Sequence, residues 1–250
     1  MSILAGFVIA VIIALTGVGA GVITAPLLIV FLQVPPEAAV GTALAYSAAI
    51  KLIVAPVQMA RRQVDYKVLG LMLLGGLPGV VLGSIFFQGV ARRGSFVALY
   101  WILGGVIILS SSWHIFGYFR PEIRGRMQKD RLRWLAALML PVGAEVGFSS
   151  SGAGALGTAA LLSLTSLPIT QVIGTDLAFG LGITLVGSGV HILGGSYNVA
   201  LLLRMIVGGI AGAIVGSGIA PRVPGRQLRF ALSLFLFALG VEICCRAARF

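Results

Sequence analysis

The sequence predicts an all-α, polytopic membrane protein made of two related halves, and three observations carry that prediction. The first is composition. The 250 residues are 58% hydrophobic and only 10% charged, with a mean hydropathy of +1.06, whereas soluble domains carry roughly 25% charged residues. The second is that apolar runs follow one another from end to end, each near the roughly 20 residues that cross a bilayer as a helix. The third is an internal duplication with a constant offset of 133 residues.

The predicted spans are residues 3–33, 38–59, 68–88, 96–118, 132–166 (broken near 149), 171–193, 199–220 and 228–245. This makes a first transmembrane repeat over 1–118, a basic cytoplasmic connector over 119–131 and a second repeat over 132–250. The first run lacks a basic n-region and continues into a glycine motif, so it reads as a membrane segment rather than a cleaved signal peptide. Sixteen of the eighteen Lys and Arg lie between or beyond the spans, as basic residues do beside anionic headgroups. That placement argues for lipid contact and against nucleic acid, despite a net charge of +11. Trp101, Trp113 and Trp134 fall near span ends, where interfacial aromatics belong. Cys244 and Cys245 are adjacent and have no metal or redox spacing; they read as packing residues.

Residues 19–93 align with 152–226 without a gap, and 21 of the 75 pairs are identical. Gly19-Ala20-Gly21 maps to Gly152-Ala153-Gly154, Pro35 to Pro168, and Gly41-Thr42 to Gly174-Thr175. Asp65 maps to Asn198, and Gly75, Gly76, Gly79, Gly83 and Ser84 map to Gly208, Gly209, Gly212, Gly216 and Ser217. Each repeat has about four helical segments, the first of them broken or re-entrant. If each long first segment crosses once, the halves are parallel and the basic residues divide eleven against five. If each bends back as a hairpin, the halves are inverted and the division is twelve against four. Both satisfy the positive-inside rule; the second does so slightly better, and inverted repeats with broken helices are a recurrent transporter plan.

The broken segments suggest chemistry. Irregular backbone at membrane depth is tolerated only where protein or a water-filled cavity surrounds it. A helix that starts just after a glycine turn directs free N–H groups and a positive dipole end into such a cavity, and such an end attracts anions. Gly19, Ala20, Gly21, Val22 and Thr24 in the first half, and Ser149, Ser150, Ser151, Gly152 and Gly154 in the second, are the expected anion contacts, with Thr16 and Thr158 nearby. Gly41-Thr42 and Gly174-Thr175 are expected to start the following spans and present further N-termini. The glycines at 75, 76, 79 and 83 read instead as close helix packing.

An ionisable residue within a span is a functional candidate by default. Lys51 lies mid-span, and its counterpart is Thr184, so it breaks the symmetry of the duplication. It serves either as counter-charge to a bound anion or as the partner of Asp176 or Glu145. Asp176 stands where the first half has Ala43. Asp176 and Glu145 are candidates for proton coupling, and His191, near its span end, is a weaker one. Arg204 and Glu242 lie close enough to span ends to snorkel and read as structural.

The glycine-rich turn followed by a proline, then PPEAAVGTAL, RRQVDY and GGLPGVVLGS, resembles the sulfite exporter (TauE/SafE-type) family of membrane transporters. The second-half pattern, GAG with LPITQVIGTDLA, YN and GGIAGAIVGSGIAPRVP, is similar to that family's second repeat. The resemblance covers almost the whole chain and implies a multi-pass carrier for small anions in the cell (inner or plasma) membrane. It names sulfite, organosulfonates and related organic acids among the substrates. The glycine turns carry fewer glycines than the family's usual G-x-G-G-G, and the second half lacks the proline found at Pro26.

An enzyme reading finds no metal-ligand cluster, cofactor motif, phosphate loop or Ser/His/Asp array. The expected function is a secondary transporter moving a small anion by alternating access, with proton coupling as an option; an anion channel is the alternative. The expected partners are the anion, lipid and protons, with homodimerisation left open.

Overall fold

The computed structural model describes residues 2–16, 20–94, 96–119, 132–150, 155–219 and 225–248. These form ten helices: α1 (Ser2–Thr16), α2 (Ala20–Val30), α3 (Pro36–Ala60), α4 (Tyr66–Arg92), α5 (Phe96–Phe119), α6 (Leu132–Ser149), α7 (Ala155–Leu164), α8 (Ile169–Leu193), α9 (Val199–Ile219) and α10 (Gly225–Ala247). Each long first segment is therefore two helices. The first gives α1 and α2; the second gives α6 and α7, with α6 ending at Ser149 where the break was expected.

Local chemistry sets the boundaries, and the two halves repeat it. Pro36 opens α3, where its fixed φ suits the first turn and its missing N–H costs nothing. Asp65 caps α4, its Oδ1 accepting from Lys67 N and Val68 N at 3.0 Å each. Its counterpart Asn198 caps α9, with Oδ1 accepting from Leu201 N at 3.0 Å. One sequence expectation needs correcting: Gly41-Thr42 and Gly174-Thr175 do not start their spans. Proline at 35 and 36, and at 168, places the helix starts at Pro36 and Ile169, more than a turn earlier.

Glycine stripes decide the packing. A Cβ at Gly75, Gly79 or Gly83 of α4 would overlap the carbonyl oxygens of Ala136, Leu140 and Ala144 of α6, respectively. Gly208 and Gly212 of α9 meet Ile3 O and Phe7 O of α1 in the same way, and Gly216 packs on Val11. Every one of these pairs maps onto its opposite number by the 133 offset. Glycine every fourth residue brings the two backbones into direct contact, the way membrane helices associate without a hydrophobic driving force. Contacts advance together along both members, so α4 runs parallel to α6, and α1 parallel to α9.

The first helix of each half is thus paired with the fourth helical segment of the other half, and the halves are interlaced rather than side by side. The central helices α3 and α8, equivalents of one another, cross antiparallel: Gly41 packs by His191, Leu44 by Gly187 and Lys51 by Gly180. The equivalents α5 and α10 are also antiparallel, with Gly104 on Cys244 and Gly240 on Ile108. Four helices are long and apolar enough to cross a membrane among the described residues: Tyr66–Arg92, Ile169–Leu193, Val199–Gly216 and Phe230–Ala247. Shorter apolar helices are Ser2–Leu15, Val97–Trp113 and Trp134–Ser149. Large apolar side chains such as Leu74, Leu109, Ile214, Trp113 and Trp134 are exposed, as lipid contact requires.

Gly212→Val is expected to lower stability by about 1–3 kcal/mol, the usual cost of forcing atoms into a packed contact. Gly89→Ala, where an added Cβ meets nothing within 4 Å, should be neutral or raise it by about 0.5–1 kcal/mol. Thermal midpoints in detergent check both; equal midpoints for the two variants would contradict the close-contact reading.

Candidate functional site

The crossing of α3 and α8 holds the two charges that break the duplication's symmetry. Lys51 on α3 is 4% exposed and Asp176 on α8 is 6% exposed. Lys51 lies across the face of Gly180: a Cβ on that glycine would stand 2.6 Å from Lys51 Nζ and 3.2 Å from Cε. Glycine at 180 therefore makes room for the ammonium. Asp176, one turn earlier on the same helix, interacts electrostatically with Lys51. Its Oδ2 accepts from Thr158 Oγ1 at 2.9 Å, and its Oδ1 sits where a side chain on Gly157 would begin. The carboxylate thus lies against the first turn of α7, the helix end expected to favour negative charge.

The ammonium is less well served. Lys51 Nζ has no hydrogen-bond acceptor among the described residues, and neither does Ser47 Oγ one turn before it. An ammonium offers three donors, and burying it without acceptors is costly. Ser47 is fully buried and shares a face of α3 with Lys51. Thr184, the counterpart of Lys51, is buried too and donates to Gly180 O at 2.6 Å. A lysine side chain, three hydroxyls and a carboxylate therefore lie along the crossing of α3, α7 and α8, all buried except the half-buried Thr158.

A reciprocal clamp closes each end of the α3–α8 pair. Thr42 Oγ1 accepts from Asn198 N at 3.0 Å, while Gly41 admits Ser196 O. Thr175 Oγ1 accepts from Asp65 N at 2.9 Å, while Gly174 admits Gln63 O. The two clamps are the same contact seen from each half, Thr42 and Thr175 both being buried. Since α3 and α8 are antiparallel, the clamps lie at opposite ends of the crossing.

The other sequence candidates scatter. Thr24 is buried on α2, at the position equivalent to Gly157. Ser149 Oγ donates to Glu145 O at 2.9 Å, and Glu145 is half-buried on α6. Ser150, at φ +61°, is buried with no partner for its hydroxyl among the described residues. His191 belongs to a separate cluster: its Nε2 faces Gly147 O at 3.0 Å and its ring lies 5.2 Å from that of Phe87. Fifteen residues of α8 separate it from Asp176, about 22 Å at the helical rise. Ala20, Gly21 and Val22 fall in the first turn of α2, and their side chains are outside the description. Gly19, Ser151, Gly152 and Gly154 lie outside the described residues, as does most of the 119–131 connector. Sequence reasoning missed Gly157 and Gly180, although the offset holds the clue: both are glycine where the first half has a hydroxyl, Thr24 and Ser47, and each abuts a charge whose counterpart in the other half is neutral.

Comparison with known proteins places this arrangement. Residues 2–243 match the family described as sulfite exporter TauE/SafE. The chain belongs to that family. TauE/SafE relatives include the probable membrane transporter protein YjnA of Bacillus subtilis (strain 168), 27% identical over 249 residues, covering 96% of this chain and 98% of YjnA. The probable membrane transporter protein YdhB of the same organism is 26% identical over 241 residues, covering 93% of this chain and 94% of YdhB. No solved structure matches. With a TauE/SafE match spanning the fold, the chain is a multi-pass membrane protein of a transporter family.

Removing one member of a buried charge pair costs about 3–5 kcal/mol, and removing both costs far less. Asp176→Ala and Lys51→Met should each destabilise, and the Asp176→Ala/Lys51→Met double variant should be more stable than the two losses summed. Unfolding in detergent measures the cycle; strict additivity would mean the two charges do not sense each other.

Proposed function

We propose that this chain is a secondary transporter for a small anion, of the sulfite, organosulfonate or organic-acid kind, which binds between α3 and α8 against Lys51. The observation that carries this reading is the buried ammonium, which has no acceptor among the described residues. An anion supplies acceptors to Lys51 Nζ, and the Ser47 hydroxyl, which has no partner among the described residues, can donate to it at the same crossing. The family's name supports an anionic substrate.

Alternating access follows from the paired clamps. In our reading the halves are inverted, supported by the antiparallel run of the equivalent helices α3 and α8 and of α5 and α10. The ends of α3 and α9 and the starts of α4, α6, α8 and α10 then share one side. Twelve Lys and Arg belong to the sequence at those ends and four to the other side, so the positive-inside rule makes the first side cytoplasmic. The Thr175–Asp65 clamp closes the cytoplasmic end and the Thr42–Asn198 clamp the far end. Opening them in turn exposes Lys51 to one side and then the other. Asp176, beside Lys51, is the proposed carrier of a coupled proton. A site closed at both ends suits a carrier better than a channel.

Lys51→Met is the test. In proteoliposomes, uptake of labelled sulfite or methanesulfonate per folded protein should fall on the order of tenfold to a hundredfold, the value of a lost hydrogen bond to a charged group. The Lys51→Met/Asp176→Asn variant, with no buried charge left at the crossing, should show the same loss. Wild-type uptake in both would remove Lys51 from the mechanism.

The clamps give a second test in protein whose native cysteines are replaced. A cysteine at position 47 should become reactive from the cytoplasmic side in Thr175→Val and from the far side in Thr42→Val. Labelling from the same side in both would refute the gating.

A further inference from the structure

We infer that this carrier selects singly charged anions and excludes doubly charged ones, a conclusion that rests on the anion site proposed at Lys51. Charge balance decides this, because Lys51 and Asp176 are both nearly withdrawn from water. Between α3 and α8 the fixed charges are one ammonium, Lys51, and one carboxylate, Asp176, each more than nine-tenths buried. The remaining polar groups there, Ser47, Thr158 and Thr184, are neutral.

Among the described residues no further charge lies at the crossing; on α9, which packs on α3 through Gly209 and Tyr46, Arg204 sits in the second turn and is exposed. Neither α2 nor α7 contains an ionisable residue, nor do residues 17–35 and 146–175 around them. On α3 the other ionisable groups are Glu37, in the first turn, and Tyr46, whose hydroxyl is spent on Gly6 O at 2.7 Å. On α4, Tyr66, Lys67 and Arg92 lie at the two helix ends. On α6, Arg133 is near the start. Glu145 follows Ala144, which packs on Gly83, a turn past the Val80 that meets Gly187 of α8, about three turns beyond Asp176. His191 is further still and faces Gly147 O.

The first turn of α7 does not supply the missing charge either. A helix end contributes a partial dipole charge, not a full one, and the Asp176 side chain already lies against this one, with Oδ2 accepting from Thr158 Oγ1 at 2.9 Å.

Two occupied states then differ sharply. A monoanion on Lys51, with Asp176 protonated, leaves the crossing electrically neutral. A dianion leaves a surplus negative charge even when Asp176 is protonated, and two when it is not. An uncompensated buried charge is heavily penalised, which translates into binding weaker by more than about a hundredfold. The same balance makes each monoanion enter with one proton on Asp176. For a sulfur oxyanion that takes two charge states, the singly charged form is the one bound.

Methanesulfonate and sulfate are suitable probes because neither changes charge between pH 5.5 and pH 8. At matched ionic strength, the purified protein should be stabilised against heating by methanesulfonate, more at pH 5.5 than at pH 8, and not by sulfate. Asp176→Asn, which keeps an oxygen for Thr158, should respond to methanesulfonate equally at the two pH values and still ignore sulfate. Lys51→Met should respond to neither. Sulfate stabilising the protein as strongly as methanesulfonate, in a Lys51-dependent way, would overturn the single-charge rule and leave the carrier reading standing. A methanesulfonate response that keeps its pH dependence in Asp176→Asn would overturn the charge balance on which the rule is built. No response to either anion would overturn the rule and the Lys51 site together.

Discussion

Charge inside a protein that lies in hydrocarbon must be answered by charge or by hydrogen bonds, and the centre of this molecule is arranged around that requirement. Lys51 enters from one central helix and Asp176 from the other. The carboxylate is served by Thr158 and by the first turn of a short helix. The ammonium is given room by a glycine and, among the described residues, no acceptor. Burying a lysine this way is expensive, and in the proposed carrier the substrate anion completes it.

The frame around that centre follows from glycine. Stripes on α4 and α9 let each pack backbone to backbone on the opening helix of the other half, so neither half encloses a core by itself. The clamps at Thr42 and Thr175 extend the same exchange to the loops, each half holding the other's. A two-state device needs two arrangements of similar energy, and a duplicated chain has a natural route to them: the same contact at both ends, broken at one end while kept at the other. The charged pair is where the duplication departs from symmetry. Thr184 and Ala43 stand in the places of Lys51 and Asp176, so the proposed site is one for the whole molecule rather than one for each half.

Much of this was legible in the sequence for physical reasons. Proline at 35, 36 and 168 and the caps Asp65 and Asn198 act locally, and Pro35 with Pro168 and Asp65 with Asn198 were matched pairs in the duplication, although Gly41-Thr42 and Gly174-Thr175 read as the helix starts instead. The break after Ser149 was readable because an apolar run of 35 residues exceeds one crossing. The glycine spacing at 75, 79 and 83 announced close packing but not its partner, since α4 pairs with α6 across the chain and such register is a tertiary choice. Gly41-Thr42 looked like a helix start because glycine and threonine often mark one. Their use as a clamp on residues 196–198 depends on the antiparallel crossing, which no local pattern encodes. Lys51 stood out with Asp176 and Glu145 as alternative partners; that Asp176 is the one beside it follows from the same crossing.

Where the anion sits is the most direct test of this account. A crystal of the protein soaked in a brominated methanesulfonate, with diffraction recorded at the bromine absorption edge, would locate the anion by its anomalous signal. The account predicts one peak per chain at the crossing of α3 and α8, with the sulfonate oxygens within hydrogen-bonding distance of Lys51 Nζ. A peak elsewhere, with the ammonium still lacking an acceptor, would contradict it.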